Sequence, residues 1–318
     1  MAYKRSRMLA ELLEVLPNDR LIYIHVDGAK VGDEFRVEIT KNIAQDFARR
    51  HKGRVFLHCQ DKNLGNRGSF DFALDWIYES EERVIILEED IRFNETFFSF
   101  MDWALAKFES DSKIFAVNGF SSLGILPGPN RVFYSYTLRP WGFGTWKSRW
   151  EIYKKIEMPS VLSPELFTLP IFDGVTVTEN FKTRWMSRFE RSMNQTDTYD
   201  YPWTYAAWTY GSFHLAPYKT FTTNIGYDND SLHTFTKPFF VRSLSSLKNY
   251  SLEGLRHKRL IRHLGFYDVT SDLFETKSLG LISGRSQFLI AKIYSLILRV
   301  YQSFSAYKST PKALNRLG

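Results

Sequence analysis

An α/β fold is predicted for this chain, and three observations carry the prediction. Short β-branched runs alternate with helix-like stretches, which argues for parallel βαβ units. One of these runs, Val84-Ile85-Ile86-Leu87, breaks off into Glu88-Glu89-Asp90. The chain is 318 residues long and 44% hydrophobic, enough to bury a sizeable core. The expected architecture is a mixed, mainly parallel sheet flanked by helices, in a domain over residues 1–234. A helical C-terminal extension is expected over residues 235–318.

The elements follow in order. Leu9, Leu12, Leu13 and Leu16 recur at helical spacing, so residues 8–16 read as an amphipathic helix. Residues 21–28 form a strand that ends in Asp27-Gly28. A helix over 41–50 and a short strand over 54–58 come next. Residues 63–68 make a Gly/Asn loop, and Ser69 is placed to cap a helix over 70–78. The strand at 84–87 and its three acids lead into a helix over 100–108. A strand over 113–120 follows and contains Asn118-Gly119. Residues 136–146 form an aromatic, Gly-rich segment that includes Arg139-Pro140-Trp141-Gly142. A polar helix over 147–155, Pro-punctuated loops over 159–173 and a helix over 180–193 come after it. Tyr199-Asp200-Tyr201-Pro202-Trp203 then enters a helix over 204–210. From residue 235 the character shifts to frequent Lys and Arg, and residues 287–301 carry a wide apolar face with a narrow basic stripe. That helix is expected to dock on the preceding domain or a second subunit, or to lie in the plane of an anionic membrane surface.

Composition excludes several classes. The net charge of +7 suits an anionic partner. No Lys/Arg tract with interleaved aromatics occurs, so nucleic acid is not expected as a partner. The single Cys59 rules out an intrachain disulfide framework and is compatible with a reducing compartment. No apolar run approaches the ~20 residues of a spanning helix. No phosphate-cradling Walker loop, CxxC pair or GxSxG elbow occurs. The 16% aromatic content can supply stacking faces for sugars and bases, and cores consume aromatics too.

The acids are the most informative feature. A buried strand in an open α/β sheet delivers its C-terminal end to the ligand crevice. Carboxylates crowded there repel one another, and a divalent cation with oxygen ligands relieves them. The plainer reading is a solvated acidic turn.

The order strand, acidic triplet, helix, strand resembles the core of glycosyltransferases with the GT-A (Rossmann-like) fold, over residues 3–234. The likeness is to the N-acetylglucosaminyltransferase I type and its bacterial nucleotide-diphospho-sugar transferase relatives. It implies that Asp90, the last acid, holds Mn²⁺ or Mg²⁺ carried by the diphosphate of a nucleotide sugar. Glu88 and Glu89 would then serve the donor, with Glu89 standing where the family usually has Asp. The resemblance also implies that Asp27 contacts uracil or ribose, against a plain Asp-Gly turn. Arg67, in a Gly/Asn loop before a helix, would meet phosphate, against a solvated surface Arg. Trp141 and Gly142 would line the donor sugar, against a packed aromatic turn. Asp200 would deprotonate the acceptor, with Asp197 as the fallback and a helix N-cap as the plainer role. Asn224-Ile225-Gly226 and His233-Thr234 resemble the family's closing motif, in which His233 would complete the metal shell or touch the diphosphate. Asp228 and Asp230 would meet acceptor hydroxyls or cap a turn.

The implied reaction moves a hexose or N-acetylhexosamine from a UDP-sugar to the hydroxyl of a glycan or lipid-linked glycan, with inversion. The implied setting is bacterial surface-polysaccharide assembly at the cytoplasmic face of the membrane. The family's first strand precedes a segment like Tyr3-Lys4-Arg5, so Met1 is expected to be an internal start or that strand to be partly missing. Two rival readings remain: a sugar nucleotidyltransferase, and a non-catalytic glycan-binding protein on a transferase scaffold.

Overall fold

The computed structural model describes residues 1–121, 132–173, 177, 179–194 and 197–227. The extension at 235–318, with the helix expected over 287–301, lies outside them, as do Asp228, Asp230, His233 and Thr234. No helix among the described residues is long and apolar enough to cross a membrane.

The described chain is a mixed α/β sheet system flanked by helices. It begins with α1 (Ser6–Leu13), β1 (Ile22–Val26), α2 (Glu34–Arg50), β2 (Val55–Cys59) and α3 (Gly65–Ile77). Then come β3 (Arg83–Ile86), β4 (Ile91–Phe93), α4 (Phe97–Lys107), β5 (Ile114–Asn118), β6 (Val132–Ser135) and β7 (Phe143–Trp146). The series closes with α5 (Lys147–Tyr153), α6 (Glu179–Asn194), α7 (Asp200–Tyr210), β8 (Phe213–Pro217) and β9 (Thr222–Asn224). Two 3₁₀ turns, Pro164–Thr168 and Pro170–Phe172, occupy the stretch predicted as Pro-punctuated loop.

β1 and β2 form a parallel pair in the register Ile22↔Val55 to Val26↔Cys59. The larger sheet has the order β3-β7-β5-β8-β6. In it β3, β5 and β8 share one direction, while β7 and β6 run against them. The prediction of mostly codirectional strands therefore meets two departures, β6 and β7. The aromatic segment expected to be a ligand loop contributes β7, which is wedged between β3 and β5 and wholly buried. Gly144 permits this, because a Cβ there would stand 2.9 Å from Leu105 of α4. All five residues of β5 are buried, as a central strand requires.

Residues 1–2 lie between the two sheets. Ala2 pairs in parallel with Val26, donating to the His25 carbonyl at 2.9 Å and accepting from Asp27 N at 3.0 Å. On the other side Met1 N donates to the Leu87 carbonyl at 2.8 Å. This thread ties the ends of β1 and β3 together, so Asp27 and Glu88 face one cleft.

Helix starts departed most from expectation. α2 begins at Glu34 and α3 at Gly65, each well before its apolar periodicity. Ser69 is not a cap. It sits inside α3, where its hydroxyl bonds His25 Nε2 at 2.9 Å and fastens the helix to β1.

Candidate functional site

A cleft of about 490 Å³ opens at the C-terminal ends of β1 and β3. That size suits a small-molecule ligand. Asp27, Glu88, Glu89, Asp90, Trp141 and Asp200 all line it.

The acids sit in the turn between β3 and β4. β4 pairs antiparallel with β9, matching Ile91 to Asn224. Ile225 N then donates to the Asp90 carbonyl at 2.9 Å, so the Asn224-Ile225-Gly226 motif is knitted to the acidic turn. Gly226 is required by close approach: a Cβ there would strike the Asp90 carboxylate and stand 2.6 Å from Arg5 Nη1. Arg92 donates to the carbonyls of Glu89, Ile91 and Met8 and to Glu11, bracing α1 against the turn.

The three carboxylates are served by Arg5 and by the nearby Met1 ammonium. Arg5 Nη1 donates to Asp90 Oδ2 at 2.6 Å. Asp90 Oδ1 is buried and makes no hydrogen bond. Removal from water raises the Asp90 pKa, and Arg5 opposes the rise. Burial and the neighbouring acids push Glu88 up to about 8, although it accepts from Tyr199 Oη at 2.9 Å. Burial and Asp90 push Glu89 up to about 7. Such a cluster favours protons or a cation. Among the described residues no group of three His, Cys, Asp or Glu side chains is placed to hold a metal ion. A cation here would rest on Asp90 Oδ1 and take its remaining oxygens from a ligand, a donor set that suits Mg²⁺ or Mn²⁺.

Asp27 is buried at the end of β1. Its Oδ1 accepts from Gly28 N at 2.8 Å and Leu64 N at 2.9 Å, and its Oδ2 accepts from Asn63 Nδ2 at 2.9 Å. The carboxylate thus clamps the β2–α3 loop against β1, and its burial still raises its pKa.

Asp200 is the first residue of α7. The N-cap position belongs to Tyr199, and no side chain caps it, so the capping role for Asp200 is not used. Its place is set by its neighbours. Tyr199 stacks on Phe70 with ring centres 3.9 Å apart and planes 2° off parallel, and its hydroxyl holds Glu88. The Thr198 hydroxyl donates to Asp200. Asp197, the fallback base, is engaged elsewhere: it accepts from the backbone N–H of Asn66 and Arg67 and so caps α3 across the loop.

Two expected residues do not join the cleft. Arg67 is exposed on the side of α3 that carries Asp71, 3.9 Å from its carboxylate. Gly142 is buried with φ +80°, a turn conformation that favours glycine, and a Cβ there would meet Thr222 and Leu87. It shapes the entry to β7. Lys30, Asn63, Arg188 and Arg191 line the cleft without having been singled out in the sequence. Asn63 carried a signal in its Gly/Asn loop. The others look like ordinary surface cations until the chain is folded.

The far wall is aromatic. Trp141 and Tyr227 meet edge-on at 6.2 Å, and Trp141 rests against Phe120 at 4.4 Å. Behind them Trp185, Trp208, Phe181 and Phe189 are buried in one cluster. Compared with known families and with curated proteins, the chain matches no family model and no curated relative.

Proposed function

We propose that this protein is a metal-dependent glycosyltransferase with a GT-A type nucleotide-binding domain. In this reading it moves a hexose or N-acetylhexosamine from a nucleotide diphosphate sugar, UDP-linked by the family likeness, to a glycan hydroxyl. The carrying observation is the convergence of Asp90, with its unbonded buried oxygen, Asp27 and Asp200 on one cleft. Asp90 would hold Mn²⁺ or Mg²⁺, whose charge neutralises the departing diphosphate.

The chain's own residues supply the rest. Asp27 and Asn63, locked together at the end of β1, present a fixed edge to the nucleoside. Lys30 and Arg5 line the same end and offer positive charge to phosphate oxygens. Asp200 lines the same cleft as Trp141 and Tyr227, on whose rings a sugar acceptor can stack. Its carboxylate takes the acceptor hydroxyl proton as the new C1–O bond forms and the C1–O bond to the diphosphate breaks. Thr198 donates to that carboxylate while the stacked Tyr199 and Phe70 fix the chain beside it, and the packed wall keeps water from competing for the donor.

The test is release of nucleoside diphosphate from UDP-, GDP- and dTDP-sugars with Mn²⁺ and mixed glycan acceptors. Wild type should turn over one donor. Asp200→Asn should lose about 10²- to 10⁴-fold in turnover while binding the nucleotide normally, the usual contribution of a general base. Nucleotide binding without turnover of any donor would favour the glycan-binding reading. No binding at all would make Asp90 the structural partner of Arg5.

A further inference from the structure

Helix α6 contributes two cations, Arg188 and Arg191, to the lining of the cleft, apart from Lys4, Arg5 and Lys30, which line it together with the acids. Arg184, Arg188 and Arg191 stand at i, i+4 and i+7, which places them on one helix face. The Arg188 guanidinium lies 4.7 Å over the ring of buried Trp185, so its plane is held against the wall. Arg191 is exposed and lines a second hollow as well, together with Ser160, Leu162, Ser187 and one carboxylate, Glu190. One guanidinium therefore stands on the ridge between the catalytic cleft and a hydroxyl-bearing groove beyond it.

We infer that the acceptor is an acidic oligosaccharide whose carboxylates are met by Arg188 and Arg191, with the chain running from Asp200 across the α6 ridge into the hollow at Ser160 and Leu162. This rests on the transferase reading and names its acceptor class. Planar guanidinium groups pair bidentately with carboxylates, and a stacked guanidinium loses little freedom in doing so. The aromatic faces beside them take the apolar faces of sugar rings. The nucleotide is placed elsewhere, at Asp27 and Asn63, so α6 is left to the acceptor. A track continuing past the reaction centre fits a substrate of several sugars better than a monosaccharide.

The experiment uses the full chain with Mn²⁺. Calorimetry compares tri-galacturonate with galactotriose, a neutral trisaccharide of equal length, on wild type and on Arg188→Gln/Arg191→Gln. The thermal shift given by nucleoside diphosphate is measured on the same samples. Wild type should bind tri-galacturonate at least tenfold more tightly than galactotriose. The double variant should erase that difference and keep the nucleotide shift, and Arg191→Lys should restore part of the preference. Equal binding of the two trisaccharides, or undiminished tri-galacturonate binding by the double variant, would overturn the inference. So would loss of the nucleotide shift in the double variant, because the arginines would then belong to the donor site. Failure of the transferase reading looks different: wild type would give no nucleotide shift, whatever it does with tri-galacturonate.

Discussion

The wall of the cleft at β1 and β3 and the wall at α6 and α7 are held by different forces. At β1, Asp27 is fixed by three hydrogen bonds, and Met1 and Ala2 tie two strand ends together through the backbone. The acids beside it are crowded, removed from water and served by Arg5. At α6 the support is ring packing: Trp185, Phe189 and Trp208 meet at centroid distances of 5.0–5.4 Å. The aromatic wall is complete as it stands. The polar wall crowds three acids whose burial raises their pKa values, and that asymmetry marks where a cation has most to contribute.

Changes at three sites would break or sharpen the contrast. The largest effect is expected from Trp185→Ala, which empties the centre of the aromatic wall and should cost about 3–5 kcal/mol, read by denaturant unfolding. Trp185→Phe should cost far less, because its indole N–H is buried without a hydrogen-bond partner. Next comes Gly226→Ala. Its Cβ would strike the Asp90 carboxylate, so stability should fall by about 1–3 kcal/mol, with metal-dependent nucleotide binding at least tenfold weaker. An equal loss of nucleotide binding from Trp185→Phe would blur the distinction between the walls.

The smallest effect tests the polar side through pH. Asp71, on α3 behind that wall, has a buried Oδ1 with no partner, and burial pushes its pKa up to about 6. A folded pKa above the ordinary carboxylate value means the native state binds more protons than the unfolded one between about pH 4 and 6. Its share of stability is therefore lost as pH rises through that window. Asp71→Asn should stabilise by about 1 kcal/mol at pH 8, discounted for partial exposure, and by nothing near pH 4. Thermal unfolding at the two pH values reads this directly.

The sequence made some of this legible and hid the rest for physical reasons. Apolar runs located the strands β1, β2, β3 and β5, although of these β5 alone is buried throughout, β2 is half-exposed, and β3, expected to be a buried strand, is an edge strand with only Ile86 buried. The acids at the end of β3 were visible because its apolar run breaks off into them. β7 was hidden: Phe143-Gly144-Thr145-Trp146 carries the composition of a ligand loop, and only the close approach of Leu105 explains its glycine. The early start of α3 was hidden because its N-terminal cap, Asp197, comes from more than a hundred residues away. Arg5 and Arg188 were hidden because long-range pairing leaves no local spacing. Arg67 and Gly142 stood out by motif, and the fold turns both away from the cleft.

The most direct test of the account is thermal shift of the full chain with UDP, GDP, CDP and dTDP, each with and without Mn²⁺, beside Asp90→Asn. A ligand that binds only the native state raises its stability by mass action, by about 2.7 kcal/mol at a hundredfold excess over Kd. The account predicts that one diphosphate raises the melting temperature only when Mn²⁺ is present, and that Asp90→Asn abolishes the shift while staying folded. A well-folded wild type that no nucleotide shifts, or a shift that survives Asp90→Asn unchanged, would contradict it.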